Sequence, residues 1–162
     1  MGKNKFLISA LVLFMLSYCC FSKQVCFQIV QHDNRVEKVT EQSFVVEDEL
    51  LKDFFEYGYI VTNSDASVSF SSDEDKILLN AGIQEAVEGC SDYFIQIKLY
   101  YESIGSSSLV SLRRIDWSVT NILNGETLNT KSLKVEKEYL TNDELIKLSS
   151  QLSDAIYKSL KA

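Results

Sequence analysis

Apolar residues recur along this chain with two periods, and each period predicts an element. Val25, Phe27 and Ile29 alternate with Cys26, Gln28 and Val30 in a compact apolar run of strand length. A polar stretch covers residues 31–42. Val46, Leu50, Phe54 and Tyr57 then recur at helical spacing on one face, and Gly58 stands where a left-handed C-terminal cap falls. Tyr59-Ile60-Val61-Thr62 is aromatic and β-branched and reads as a short strand, with a minor strand at residues 68–70 after a Ser/Asp-rich loop. Ser72-Asp73-Glu74-Asp75 has the form of a capping box, opening a second helix whose buried face is expected at Leu79, Ile83, Ala86 and Val87 and which Gly89 closes.

The cleanest alternation follows: Tyr93, Ile95, Ile97, Leu99 and Tyr101 share one face of a long strand. After a small-residue loop at 105–108, a strand over about 109–123 places Ile115, Trp117 and Val119 together. Asn124-Gly125 predicts a two-residue hairpin turn, because both residues tolerate positive φ, and the partner strand returns through 128–135. Thr141-Asn142-Asp143-Glu144 is a second capping box, followed by Leu145, Leu148, Leu152, Ile156 and Leu160 at helical spacing. The order is β-α-β-α-β-β-β-α. It predicts an α/β (α+β) domain: a single mixed sheet with right-handed crossovers and three helices packed on it.

The first residues concern the compartment. Lys3 and Lys5 precede an apolar run at 6–16 in which only Ser9 is polar, so residues 1–22 read as an export signal. Eleven residues fall short of the about 20 that a membrane span needs. Two endings remain open, beside a retained hydrophobic anchor helix, which the length of the run disfavours. A peptidase cutting after Ser22 leaves a soluble chain beginning at Lys23, while a degraded lipoprotein box makes Cys19 or Cys20 the acylated first residue. The domain expected after export is residues 23–162, in the periplasm or on the outer membrane, touching membrane only through such a lipid. The chain has 162 residues and is 46% hydrophobic, enough for one cored domain, which excludes disorder and multi-pass membrane architecture. Its net charge of −7 argues against nucleic acid as a partner, since phosphate contacts need clustered cations.

Three segments carry a family resemblance: Phe55-Glu56-Tyr57-Gly58-Tyr59-Ile60-Val61, Glu88-Gly89-Cys90-Ser91-Asp92-Tyr93-Phe94-Ile95-Gln96-Ile97, and the hairpin from Trp117 to Leu128 around Asn124-Gly125-Glu126. In layout and turn glycines the chain resembles the small periplasmic α/β domain of the curli-secretion lipoprotein CsgG, the TolB amino-terminal domain and the lipoprotein activators of penicillin-binding proteins. That resemblance implies assembly or regulation in a bacterial envelope through an envelope protein partner, with no catalytic residues. Asn124 replaces the Thr common in relatives, no proline follows the first strand, and residues 31–42 form a polar insertion.

Candidate chemistry is sparse. His32, the single histidine, has Asp33 beside it, a pair that an exported hydrolase could use for acid/base work, but no nucleophile elbow accompanies it. Cys26, His32 and Cys90 lack the close pairing of zinc sites. The acid clusters Glu47-Asp48-Glu49 and Asp73-Glu74-Asp75 lack a calcium-loop pattern and are expected at helix starts, where they complement the macrodipole. No cofactor, metal or catalytic residue is therefore expected. Cys26 and Cys90 could pair as a disulfide in an oxidising compartment, or serve as small buried hydrophobes. Arg113 and Arg114, adjacent on a strand, should point to opposite faces and pair with acids of neighbouring strands. Tyr100, Tyr101 and Trp117 are the candidate contact surface, and Lys98, Lys134 and Lys137 are expected to guard sheet edges. The leading expectation is a non-catalytic protein-contact or assembly module. The alternative is a small-ligand or lipid carrier with an apolar site between helices and sheet.

Overall fold

The computed structural model of the protein describes residues 22–33, 35–103, 110–137 and 140–161. Residues 1–21, with Cys19 and Cys20, and the expected loop at 105–108 lie outside them. The chain runs β1 (Gln24–His32), α1 (Glu41–Glu56), β2 (Ile60–Asn63), β3 (Ser67–Val68), α2 (Ser72–Glu88), β4 (Tyr93–Ser103), β5 (Val110–Asn121), β6 (Thr127–Lys134) and α3 (Asn142–Lys161). The six strands form one mixed sheet in the order β2-β1-β4-β5-β6, with β3 also paired to β1. β2, β3 and β4 run parallel to β1, β5 runs antiparallel to β4, and β6 antiparallel to β5. This is the architecture that the two periods predicted, with the minor strand realised as β3.

Alternation along the strands splits the molecule into two unequal halves. Odd-numbered positions of β1 and β4, with Ile115, Trp117 and Val119 of β5, face α1 and α3; Phe27, Ile97, Val46, Leu50, Phe54, Leu152 and Ile156 are all buried there. The Phe27 and Phe54 rings meet edge to face at 4.9 Å, so the helices rest directly on the sheet. Each such large side chain contributes about 1.5–3 kcal/mol of burial. Among the described residues, α2 is the element that covers the opposite face, over Cys26 and Phe94. Gly82 makes that approach close: a Cβ there would lie 2.5 Å from Phe94 Cζ.

Several local expectations shift. The cap of α2 is Ser71, whose hydroxyl accepts from Glu74 N, while the Glu74 carboxylate accepts from Phe70 N. That frees Asp75 for tertiary contacts. Val87, expected inside, is 54% exposed because α2 touches the sheet through Gly82 and Ala86 instead. Gly89 closes α2 as expected, and the left-handed residue follows it at Cys90 (φ 56°). The Asn124-Gly125 turn is longer than two residues: Asn121 N donates to Glu126 O, and Gly125 alone adopts positive φ there. Glu47-Asp48-Glu49 lies inside α1 rather than at its start. The capping box of α3 forms as expected, with Thr141 N donating to Glu144 and Glu144 N to Thr141 Oγ1.

Sequence reading missed one buried polar network. Thr40 precedes α1 without a side-chain cap, and its N–H donates instead to Gln31 Oε1 at 2.9 Å. The same oxygen accepts from the Thr40 and Ser43 hydroxyls, and Ser43 Oγ lies 3.0 Å from Tyr101 Oη. Gln31, fully buried at the end of β1, thus anchors the head of α1.

Candidate functional site

Strand register builds a row of charged and aromatic groups across the less covered face. His32 pairs with Tyr100 and Tyr100 with Arg114, so three side chains of one type of position lie side by side. The His32 and Tyr100 rings stack at 4.4 Å with 12° between planes, and the Arg114 guanidinium lies 3.9 Å from the Tyr100 centroid. The next row holds Lys98 and Asp116. Asp75, from the first turn of α2, closes over it: Lys98 Nζ donates to Asp75 Oδ2 at 2.6 Å, Ser69 Oγ to Oδ1 at 2.5 Å, and His32 Nε2 lies 3.3 Å from Oδ1. Arg114 pairs with Asp116 at 3.2 Å, and Ser132 donates to Asp116 at 2.6 Å.

The electrostatics follow from this packing. Burial opposes ionisation of Asp75, but donation by Lys98 and Ser69 and the nearby His32 outweigh it and hold the carboxyl below its ordinary value. Burial pushes His32 the other way, below the usual imidazole value, with Asp75 opposing. The imidazole thus lies between an aromatic ring and a carboxylate.

Beyond the carboxyl ends of β1 and β4 opens a cleft of about 410 Å³, lined by His32, Asp33, Arg35, Tyr100, Tyr101, Glu102 and Ser103. It lies where α1 and α2 depart to opposite faces, the place where open α/β sheets hold ligands. Its charges are matched from within. Arg35 grips the buried Asp33 through Nε at 2.9 Å and Nη2 at 3.0 Å, and Arg113 lies 4.0 Å from Glu102.

The candidates of the sequence divide here. Tyr100 is half-buried on the polar face, but Tyr101 and Trp117 are buried on the α1/α3 side, so the three residues do not form the expected shared surface. Alternation demands it: neighbouring residues of β4 face opposite ways, and Trp117 pairs with Ile97 of the core row. Asp33 does not orient His32; Arg35 holds it, and Asp75 is the carboxylate near the imidazole. Cys26 and Cys90 are free thiols, one buried and one exposed. Cys26 sits opposite Phe94 under α2, beside Ser64 Oγ at 3.7 Å, while Cys90 lies in the turn before β4; the two are apart, and of the two alternatives Cys26 is the small buried hydrophobe. Arg113 reaches an acid on the neighbouring strand as expected, whereas Arg114 uses one on its own strand. Lys98 lies on central β4, not at an edge. Among the described residues, no three His, Cys, Asp or Glu side chains converge as a metal group, and no helix is long and apolar enough to cross a membrane.

The two sheet edges differ in chemistry. β6 carries Lys131 and Lys134, charges that discourage strand pairing. Beside β3, a cleft of about 500 Å³ is lined by Val39, Phe44, Ala66, Val68 and Phe70, with Glu37, Lys38 and Ser67 around them. Phe44 is 45% and Phe70 50% exposed. Sequence reading missed both, because neither sits in a periodic run that marks it as surface.

None of the curated proteins matches the chain. Solved structures similar to it include TolB from Acinetobacter baumannii, at 12% identity and TM-score 0.47, covering 86% of this chain and 28% of that one. The chain therefore spans little more than a quarter of that TolB. Lipoprotein GNA1162 from Neisseria meningitidis is similar at 10% identity and TM-score 0.47, over 84% of this chain and 99% of that one. The LpoB C-terminal domain from Salmonella enterica is similar at 12% identity and TM-score 0.41, over 79% and 94%. A family model described as "Uncharacterised protein" matches residues 24–161, and the chain belongs to that family.

Proposed function

We propose that this protein is an exported, non-catalytic contact module of a cell envelope, which receives an extended segment of a partner protein along the β2–β3 edge. The observation that carries the reading is the apolar cleft beside β3, where Phe44 and Phe70 stand in solvent next to a strand paired on one side only. An added strand satisfies the free backbone groups of such an edge, and the aromatic pockets select alternate side chains. The opposite edge is guarded by lysines, so the two edges are not equivalent. Direct packing of α1 and α3 on the sheet favours a contact surface over a carrier chamber. The basic start and apolar run of residues 3–16 support export.

The test is the size of the complex released from the envelope by mild detergent. The wild-type protein should run well above its 18.4 kDa chain mass, and Phe44→Ser with Phe70→Ser should run as the free, folded chain. Equal sizes for the two would refute the edge.

A further inference from the structure

The end of the molecule at which β1 begins has a composition of its own. Topology gathers there the starts of β1, β2, β4 and β6 and the last turns of all three helices. Phe55, Ile60, Val87 and Leu123 project from these segments with exposures of 70%, 51%, 54% and 86%, joined by Leu128 at 41%. They are five of the nine large hydrophobic side chains exposed among the described residues. Four separate segments supply them, so local sequence does not explain the cluster.

A second observation says what covers it. Half-buried tyrosines gather on the α1/α3 side of the same end: Tyr57 and Tyr157 stack at 4.4 Å, and Tyr59 lies 6.2 Å from Tyr157. Lys161 lies 4.1 Å over the Tyr157 ring, and Lys23 donates to Tyr93 Oη at 2.8 Å. Exposed apolar tips beside half-buried tyrosines, with lysines lying along the rings, is the chemistry of a bilayer interface. The polypeptide also enters here: Ser22 Oγ donates to Gly58 O, and Lys23 O accepts from Ile60 N at 3.0 Å. The apolar run at 6–16 ends six residues before Ser22, a distance that extended chain covers in roughly 20 Å. A bilayer that holds that run, or a lipid on Cys19 or Cys20, lies within reach of this end.

We infer that this end is a membrane-docking base: it rests on the lipid surface and adds the second attachment that a short apolar segment or single acyl chain needs for stable anchoring. Lys23 and Lys161 are offset by Glu56, Glu88 and Glu126 on the same end, so the base takes zwitterionic lipid rather than an anionic headgroup. The surface is distinct from the β3 cleft, and its test leaves Phe44 and Phe70 untouched.

Hydrogen exchange of the full chain, with and without phosphatidylethanolamine–phosphatidylcholine vesicles, provides the test. Amides at 57–61 and 124–128 should slow about fivefold or more on vesicles, those at 72–78 should not change, and added phosphatidylglycerol should not strengthen the effect. Phe55→Ser with Leu123→Ser should abolish that protection while the exchange of β1 and β4 stays native. Protection spread evenly over the molecule, protection that depends on phosphatidylglycerol, or protection that grows with protein concentration in the absence of vesicles would overturn the proposal; the last would mark a second copy as the occupant.

Discussion

Gly82 shows how much one missing methyl group can decide. Glycine inside a helix costs up to about 1 kcal/mol relative to alanine, so Gly82→Ala should stabilise α2 if propensity alone acted. The added carbon would meet Phe94 Cζ at 2.5 Å and Gln28 Nε2 at 3.0 Å, and Phe94 is fully buried. Overpacking of this kind costs about 1–3 kcal/mol. Gly82→Ala should therefore lower stability in urea denaturation by about 1–2 kcal/mol, and a gain would show that α2 can lift from the sheet. Being the single histidine, His32 can be followed without assignment. Its NMR titration midpoint should lie below the ordinary value of 6.5, and Asp75→Asn should lower it further by removing the opposing carboxylate. The unfolded chain then takes up a proton that the folded chain resists, so stability falls as pH drops below about 6.5 and levels once the folded imidazole also protonates. The thiols separate by exposure: Cys90 should alkylate in the native protein, Cys26 only after unfolding, and a reductant should leave the melting temperature unchanged.

At the scale of elements, the helix ends contrast. α3 opens with a reciprocal box in which Lys137 also reaches the Glu144 carboxylate, and that donation, with Thr141's, holds Glu144 at about 2. Thr141→Ala should cost about 1 kcal/mol, measurable as a lower urea midpoint with unchanged m-value. α1 lacks such a local cap and relies on Gln31 from β1. The difference explains what could be read in advance. A box of four consecutive residues is legible and marks the start of α3; an acceptor supplied from nine residues upstream is not. The two strand faces were legible from alternation, which fixed Ile95, Ile97 and Leu99 as core. The same rule, applied to Tyr100 and Tyr101 together, should have separated them at once. Asp75 could not be foreseen as the partner of His32 and Lys98, because that contact depends on α2 starting one residue early and lying against the end of β1.

The whole molecule is organised by what its helices leave uncovered. Two helices share one face, one helix covers part of the other, and the remaining polar face is closed by its own ion pairs. Among the described residues, exposed apolar side chains gather beside the β2–β3 edge, at Phe44 and Phe70, and at the base where the chain enters. These two surfaces were invisible to periodicity, since each is assembled from segments distant in sequence. The edge carries the functional reading, and a photoreactive amino acid placed at Phe70 in producing cells tests it most directly, with one at Lys131 on the opposite edge as comparison. The account predicts one discrete adduct from position 70, lost when Phe44→Ser is added, and none from position 131. The same adducts from both edges, or none from either, would contradict it.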